Sequence, residues 1–163
     1  MKKILLLISS FIFISSNAAT LKGGISEEYI PKGFYGSWGV ISKLQKSNNP
    51  TMFNFQSKDI WILSGHSNVL VLQNLESGAI SEIRIKEKTT DGKTLKFHRE
   101  KTSQNGNFKI IYKEIVQFKL LGNNFSGSDD FTVEKYNNKG VLIEKNEANY
   151  RVEGVKILGD KPH

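Results

Sequence analysis

Three histidines, His66, His98 and His163, and no cysteine are the first constraint on what chemistry this 163-residue chain can do. His66 follows the Ser64-Gly65 pair, expected to be a turn, and His163 is the C-terminal residue. Only His98 falls inside a strand-like stretch, where Glu100 shares its outward face. A His-x-Glu pair with no third ligand in register reads as a solvated strand face, and no metal site is expected. The chain has no G-x-S-x-G elbow, no H-E-x-x-H and no glycine-rich phosphate loop. Adjacent Asp129 and Asp130 point to opposite faces of a strand and cannot act as a carboxylate couple. No catalytic residue and no cofactor is expected, and the chain is not read as an enzyme.

Binding is the better use of the charged and aromatic residues. Arg99, Tyr112 and Asp129 fall at inward positions of three successive strand-like segments. In a barrel with an open lumen, Arg99 would hold the head group of an anionic amphiphile, Tyr112 would donate a hydrogen bond, and Phe97, Phe118 and Phe131 would line the apolar part. The alternative is an Arg99–Asp129 ion pair that fixes register inside a filled core. Phe53 and Phe55, with Met52, ride the longest connection, residues 45–57, as a lid over such a cavity or as a plug in the barrel end.

The elements that position these residues are strands. Ser77-Gly78, Asp91-Gly92, Asn105-Gly106, Gly122-Asn123 and Asn138-Lys139-Gly140 join Ser64-Gly65 as turn signals that tolerate positive φ. The stretches between them are rich in Ile, Val, Phe, Tyr and Thr, and their connections are too short for helical crossovers. Eight segments follow, roughly 34–44, 58–64, 68–75, 79–89, 94–102, 107–121, 123–136 and 141–157. Parity supports them: Phe108, Ile110, Tyr112, Val116, Phe118 and Leu120 are all even, while Lys109, Lys113, Gln117 and Lys119 are odd. Eight antiparallel strands joined by hairpins remove their own edges by closing, so an all-β, up-and-down barrel is expected. Large apolar side chains on one face and Lys and Glu on the other favour a soluble barrel over a membrane-spanning one.

Charge and the N-terminal residues restrict the setting. The net charge of +7 comes from 23 basic and 16 acidic residues, but only Arg84, Arg99 and Arg151 are arginines. Lysine-borne charge spread along strands suits a solvated face better than forked recognition of bases, and no nucleic-acid partner is expected. Lys2 and Lys3, the apolar run Ile4 to Ile14 and the small-x-small site Ser16-Asn17-Ala18 have the layout of a secretory signal peptide. The run is too short to cross a bilayer. With no cysteine to carry a lipid, a periplasmic or secreted product is expected. The layout is then residues 1–18 as signal peptide, 19–33 as an N-terminal segment with a short turn begun by Ser26-Glu27-Glu28-Tyr29, and 34–158 as barrel.

Pro31-Lys32-Gly33-Phe34-Tyr35-Gly36-Ser37-Trp38 resembles the opening of lipocalins and related small calycin barrels, with Gly36-Ser37-Trp38 as their G-x-W. The resemblance implies that Trp38 closes one barrel end and that a basic residue near the last strand packs across it. Arg151 in Asn149-Tyr150-Arg151-Val152 is the candidate. Ser128-Asp129-Asp130-Phe131 loosely echoes the family's Thr-Asp-x-Tyr corner. Ending in Gly159-Asp160-Lys161-Pro162-His163, without the family's outer helix or a disulfide, the chain is similar to the pared-down lipocalin-like domains of bacterial secreted proteins. The implied role is non-covalent binding of a lipid or other small apolar or amphipathic ligand. The alternative is an envelope protein whose barrel is filled and whose outer face or Phe53/Phe55 loop meets a protein partner.

Overall fold

The computed structural model describes residues 29–158; the expected signal peptide and the Ser26 turn start lie outside them. A one-turn 3₁₀ helix, η1 (Lys32–Phe34), follows Pro31, and eight strands come after it. They are β1 (Gly36–Ser47), β2 (Gln56–His66), β3 (Val69–Asn74), β4 (Ala79–Arg84), β5 (Thr94–Asn105), β6 (Phe108–Leu121), β7 (Asn124–Tyr136) and β8 (Leu142–Leu158). All pairings are antiparallel, in the order β4-β3-β2-β1-β8-β7-β6-β5. Because β1 pairs with both β2 and β8, first strand and last meet and the sheet curls into a nearly closed up-and-down barrel. Only β4 and β5 lack a ladder between them.

The expected strands and the observed ones agree to within a few residues, with two instructive departures. The β2–β3 turn lies at Ser67-Asn68, not Ser64-Gly65, with Ser67 in the left-handed region (φ 55°), so His66 ends β2. β4 stops at Arg84 although a strand to residue 89 is expected. Ile85 is still buried and donates its N–H to Asn68, but Lys86, Glu87 and Lys88 have no inward-facing apolar residue to hold the chain on the sheet.

Alternation along every strand sends one set of side chains inward, and the inward set differs between the two barrel halves. Near η1 the interior is filled by Phe34, Trp38, Trp61, Phe118 and Phe125 with Leu63, Leu70, Ile85 and Leu95. Phe125 meets Trp38 edge-on at 4.9 Å and stacks on Phe118 at 4.8 Å. Gly154 makes room for it, since a Cβ there would lie 2.2 Å from the Phe125 ring. Trp38 is fixed by a buried polar contact as well, because its indole N–H donates to the Phe34 carbonyl at 2.8 Å. Gly36, the first residue of the G-x-W, has φ 118°, a conformation that a side chain disfavours. In the other half the buried inward residues include Ser42, Asp59, Asn74, Ser81, Glu114 and Asp129. Among the described residues no helix is long and apolar enough to cross a membrane.

Candidate functional site

The missing β4–β5 ladder leaves a seam in the wall, and a cavity of about 200 Å³ opens there. Its inner wall is Arg99 from β5, Tyr112 and Glu114 from β6, and Phe131 from β7; Ser81 and Ile83 of β4 face them. Arg84, Lys86, His98, Glu100 and Lys101 form most of the rim. At the η1 end the seam is pinned. Asp91 accepts hydrogen bonds from the backbone N–H of Lys93 and Thr94 at 3.0 and 2.8 Å and from the Thr94 hydroxyl at 2.6 Å, which starts β5. Those three bonds, the Thr94 hydroxyl foremost, pull the exposed Asp91 carboxyl down to about 2.

Arg99 and Glu114 stand directly opposite each other in the β5–β6 ladder, and the Arg99 Nε donates to the Glu114 carboxylate. Their side chains are 16% and 7% exposed. Burial opposes the guanidinium charge, but the attraction of Glu114 outweighs it and keeps Arg99 firmly protonated. With Nε committed, the two terminal nitrogens have no protein acceptor among the described residues, and they belong to a side chain that lines the cavity. The Arg99 guanidinium also lies 5.9 Å from the centre of the Phe97 ring.

Behind this pair sits Asp129, inward on β7 and only 5% exposed. Burial, then the charge of Glu114 and a hydrogen bond toward it, holds its carboxyl well above the usual carboxylate range. Asp129 thus keeps its proton and is the donor toward Glu114, which lies diagonally across the β6–β7 ladder. The other Asp129 oxygen, Oδ1, is buried with no partner. Tyr150, opposite Asp129 on β8, donates its hydroxyl to the Asn54 carbonyl at 3.2 Å; burial and the neighbouring Asp129 push its phenol up to about 12.

The β1–β2 connection closes the barrel end at this half. Phe53 is buried and meets Phe131 edge-on at 6.2 Å. The connection is tied down on β8: Ser47 donates to the Glu147 carbonyl at 2.8 Å, Asn48 to that of Lys145 at 3.0 Å, and Asn49 to the Asn146 side chain at 3.0 Å. Phe53 is thus a plug, while Phe55, 76% exposed, points away from the barrel. Access to the cavity runs sideways through the seam.

The residues expected at the site therefore divide. Arg99, Tyr112 and Phe131 line the cavity; Phe97 and Phe118 pack edge-on at 6.3 Å in the core; Phe53 closes the end and Phe55 is outside. The partner of Arg99 is Glu114, not Asp129. Arg151 does not cross Trp38: flanked by inward Tyr150 and Val152, it must point outward, where it pairs with Glu153 at 2.7 Å. Lys156 takes that place, with its ammonium 5.3 Å from the Trp38 ring and bonded to the Gly33 carbonyl at 3.3 Å. Sequence reasoning missed Glu114, although it shares the even parity of Tyr112, Val116 and Phe118, and missed Ser81 and Ile83, whose place depends on the seam. No protein-family model matches the chain, and a search of curated proteins finds no match.

Proposed function

We propose that this is an exported barrel of lipocalin-like type that binds a small amphipathic ligand non-covalently in the seam cavity. The observation that carries the reading is the cavity's two-sided wall: Phe131, Tyr112 and Ile83 offer apolar surface, and Arg99, held at Nε by Glu114, offers its terminal nitrogens. At about 200 Å³ the space lies below the roughly 300 Å³ at which drug-sized sites begin, so a short-chain ligand is favoured over a long acyl chain. Export rests on Lys2, Lys3, the run Ile4 to Ile14 and Ser16-Asn17-Ala18, and the lipocalin likeness on the nearly closed meander and its Gly36-Ser37-Trp38.

The test is native mass spectrometry of the mature protein purified from its own envelope, with bound molecules extracted and identified. A stoichiometric small amphiphile, lost in a folded Arg99→Ala variant, is expected. An empty protein that also ignores hydrophobic fluorophores would end this reading. It would favour a second one, docking of an envelope protein, for which the outer surface offers a specific feature: Leu75, Ile80, Val155 and Ile157 are exposed on β8 and the β1–β4 side, around Gly39.

A further inference from the structure

We infer that the seam site takes a monoanionic carboxylate as its head group and takes it together with one proton held between Asp129 and Glu114. This rests on the reading of the cavity as a ligand site and adds the class of ligand and its control. The geometry supplies three facts. Arg99 is the guanidinium on the inner wall, and its Nε is already matched by Glu114, so its remaining fork has the planar, paired donors that suit a carboxylate. Asp129 and Glu114 lie diagonally across the β6–β7 ladder on the same inward face, since Glu114 pairs with Phe131 and Asp129 with Val116; both are nearly inaccessible, and Arg99 and Glu114 stand between Asp129 and the cavity. Asp129 Oδ1 has no donor of its own, and the guanidinium whose charge reaches it, that of Arg99, is already paired with Glu114.

With the proton in place, Arg99, Glu114 and Asp129 sum to zero charge, and an incoming carboxylate meets an uncancelled fork. Without it they sum to minus one, and the attraction that Arg99 and the neighbouring Lys101 exert on the carboxylate is weakened. The other charged or titratable groups on the inner face of this half are Tyr112 of β6, Lys101 of β5, Tyr150 of β8 and Asp59 of β2, with Asp130 beside Asp129 on the outer face of β7. Tyr150, pushed up to about 12, stays neutral through the neutral range. Asp59 is occupied by Asn74 at 3.0 Å and Ser57 at 3.1 Å. The shared proton is therefore the one whose loss changes the charge next to Arg99. Over the pH range in which the ligand is ionised, affinity falls as pH rises, because the free site loses a proton that the bound site retains.

The experiment is isothermal titration of the full mature chain with octanoate across the pH range in which octanoate is ionised and the chain folded, in buffers of different ionisation enthalpy. Wild type is expected to bind about 5- to 150-fold more weakly at the alkaline end of that range than at its acid end, the usual span of a coupling between two sites, and to take up a proton on binding in between. Asp129→Asn, which keeps a donor toward Glu114 and cannot ionise, is expected to bind with equal affinity at both ends and take up no proton. Octanoate binding without a pH trend or proton uptake in wild type overturns the inference and leaves the ligand site standing. So does a pH trend that persists in Asp129→Asn, or binding of octylamine in preference to octanoate. Failure of octanoate, octanol and octylamine alike overturns the ligand site itself. Proton uptake by wild type decides the matter even if the variant does not fold.

Discussion

The two halves of this barrel are built from the same strands and filled by opposite rules. In the half near η1, inward positions carry rings and branched aliphatics, and Gly154 is there because Phe125 needs its volume. In the half beyond, the same strands turn Ser42, Asp59, Arg99, Glu114 and Asp129 inward, and both Ser42 Oγ and Asp129 Oδ1 are buried without partners. A core with only stability to provide would not retain charges that are expensive to desolvate. On the proposed function the packed half carries the fold and the charged half the ligand, with the seam opening into the half that holds the charges.

The largest effect expected from breaking that division is at the packed half. Phe125 touches the rings of Phe34, Trp38, Trp61 and Phe118, and Phe125→Ala should lower stability by about 3–5 kcal/mol, read as the shift in urea midpoint at constant slope. Its counterpart is the charged half. Glu114→Ala alone leaves Arg99 buried and uncompensated and should lower stability by about 3–5 kcal/mol. Replacing the cluster as a unit, Arg99→Met with Glu114→Leu and Asp129→Leu, should leave stability unchanged or raise it by about 1–4 kcal/mol while ending octanoate binding. If the triple variant unfolds instead, the charges are holding the barrel together and the division of labour fails. The plug gives the next contrast. Phe53→Ala should cost about 3 kcal/mol, the low end for a buried ring, and open the barrel end. Phe55→Ala should stay within about 0.5 kcal/mol.

Much of this arrangement is legible in the order of the residues. Parity separates inward from outward residues in β5, β6 and β7, and that alone places Arg99, Tyr112 and Asp129 inside. Parity cannot choose between two inward residues on neighbouring strands, which is why Asp129 and Glu114 compete on equal terms as partners for Arg99 until register is considered. Register decides it: counting back from the two-residue turn Gly106-Asn107 puts Arg99 opposite Glu114. Parity also excludes Arg151 from the Trp38 contact and admits Lys156. The seam is different. It arises because residues 85–93 form a long connection without a hairpin turn, so β4 and β5 are neighbours in sequence with nothing local to set their ladder. Loop length hints at such a gap, but whether the wall closes depends on the curvature of all eight strands.

Two aspartates near the seam, one at its pinned end and one behind its inner wall, give the smallest and most diagnostic effect, because they tie stability to pH with opposite signs. Asp91 has its carboxyl lowered to about 2 by the Thr94 hydroxyl and the N–H groups of Lys93 and Thr94. Its contribution is complete above the ordinary value of 3.8 and is lost as pH falls toward 2. Asp129 is raised by burial and by Glu114, so the folded state binds its proton more tightly than the unfolded chain does. Its contribution is complete below the ordinary value of 3.8 and is lost as pH climbs through its folded value. Urea unfolding across pH should therefore show an Asp129 contribution that declines as pH rises above 3.8 in wild type and Asp91→Ala but not in Asp129→Asn. A shallower decline at the acid extreme should vanish only in Asp91→Ala, the weaker of the two because that turn is fully in solvent. Carbon-detected titration of the Asp91 carboxyl checks its half independently. A normal value there would mean that the β5 start is loose, and a loose β5 start would leave the seam unpinned at both ends, removing the rigid edge on which Arg99 is held toward Glu114.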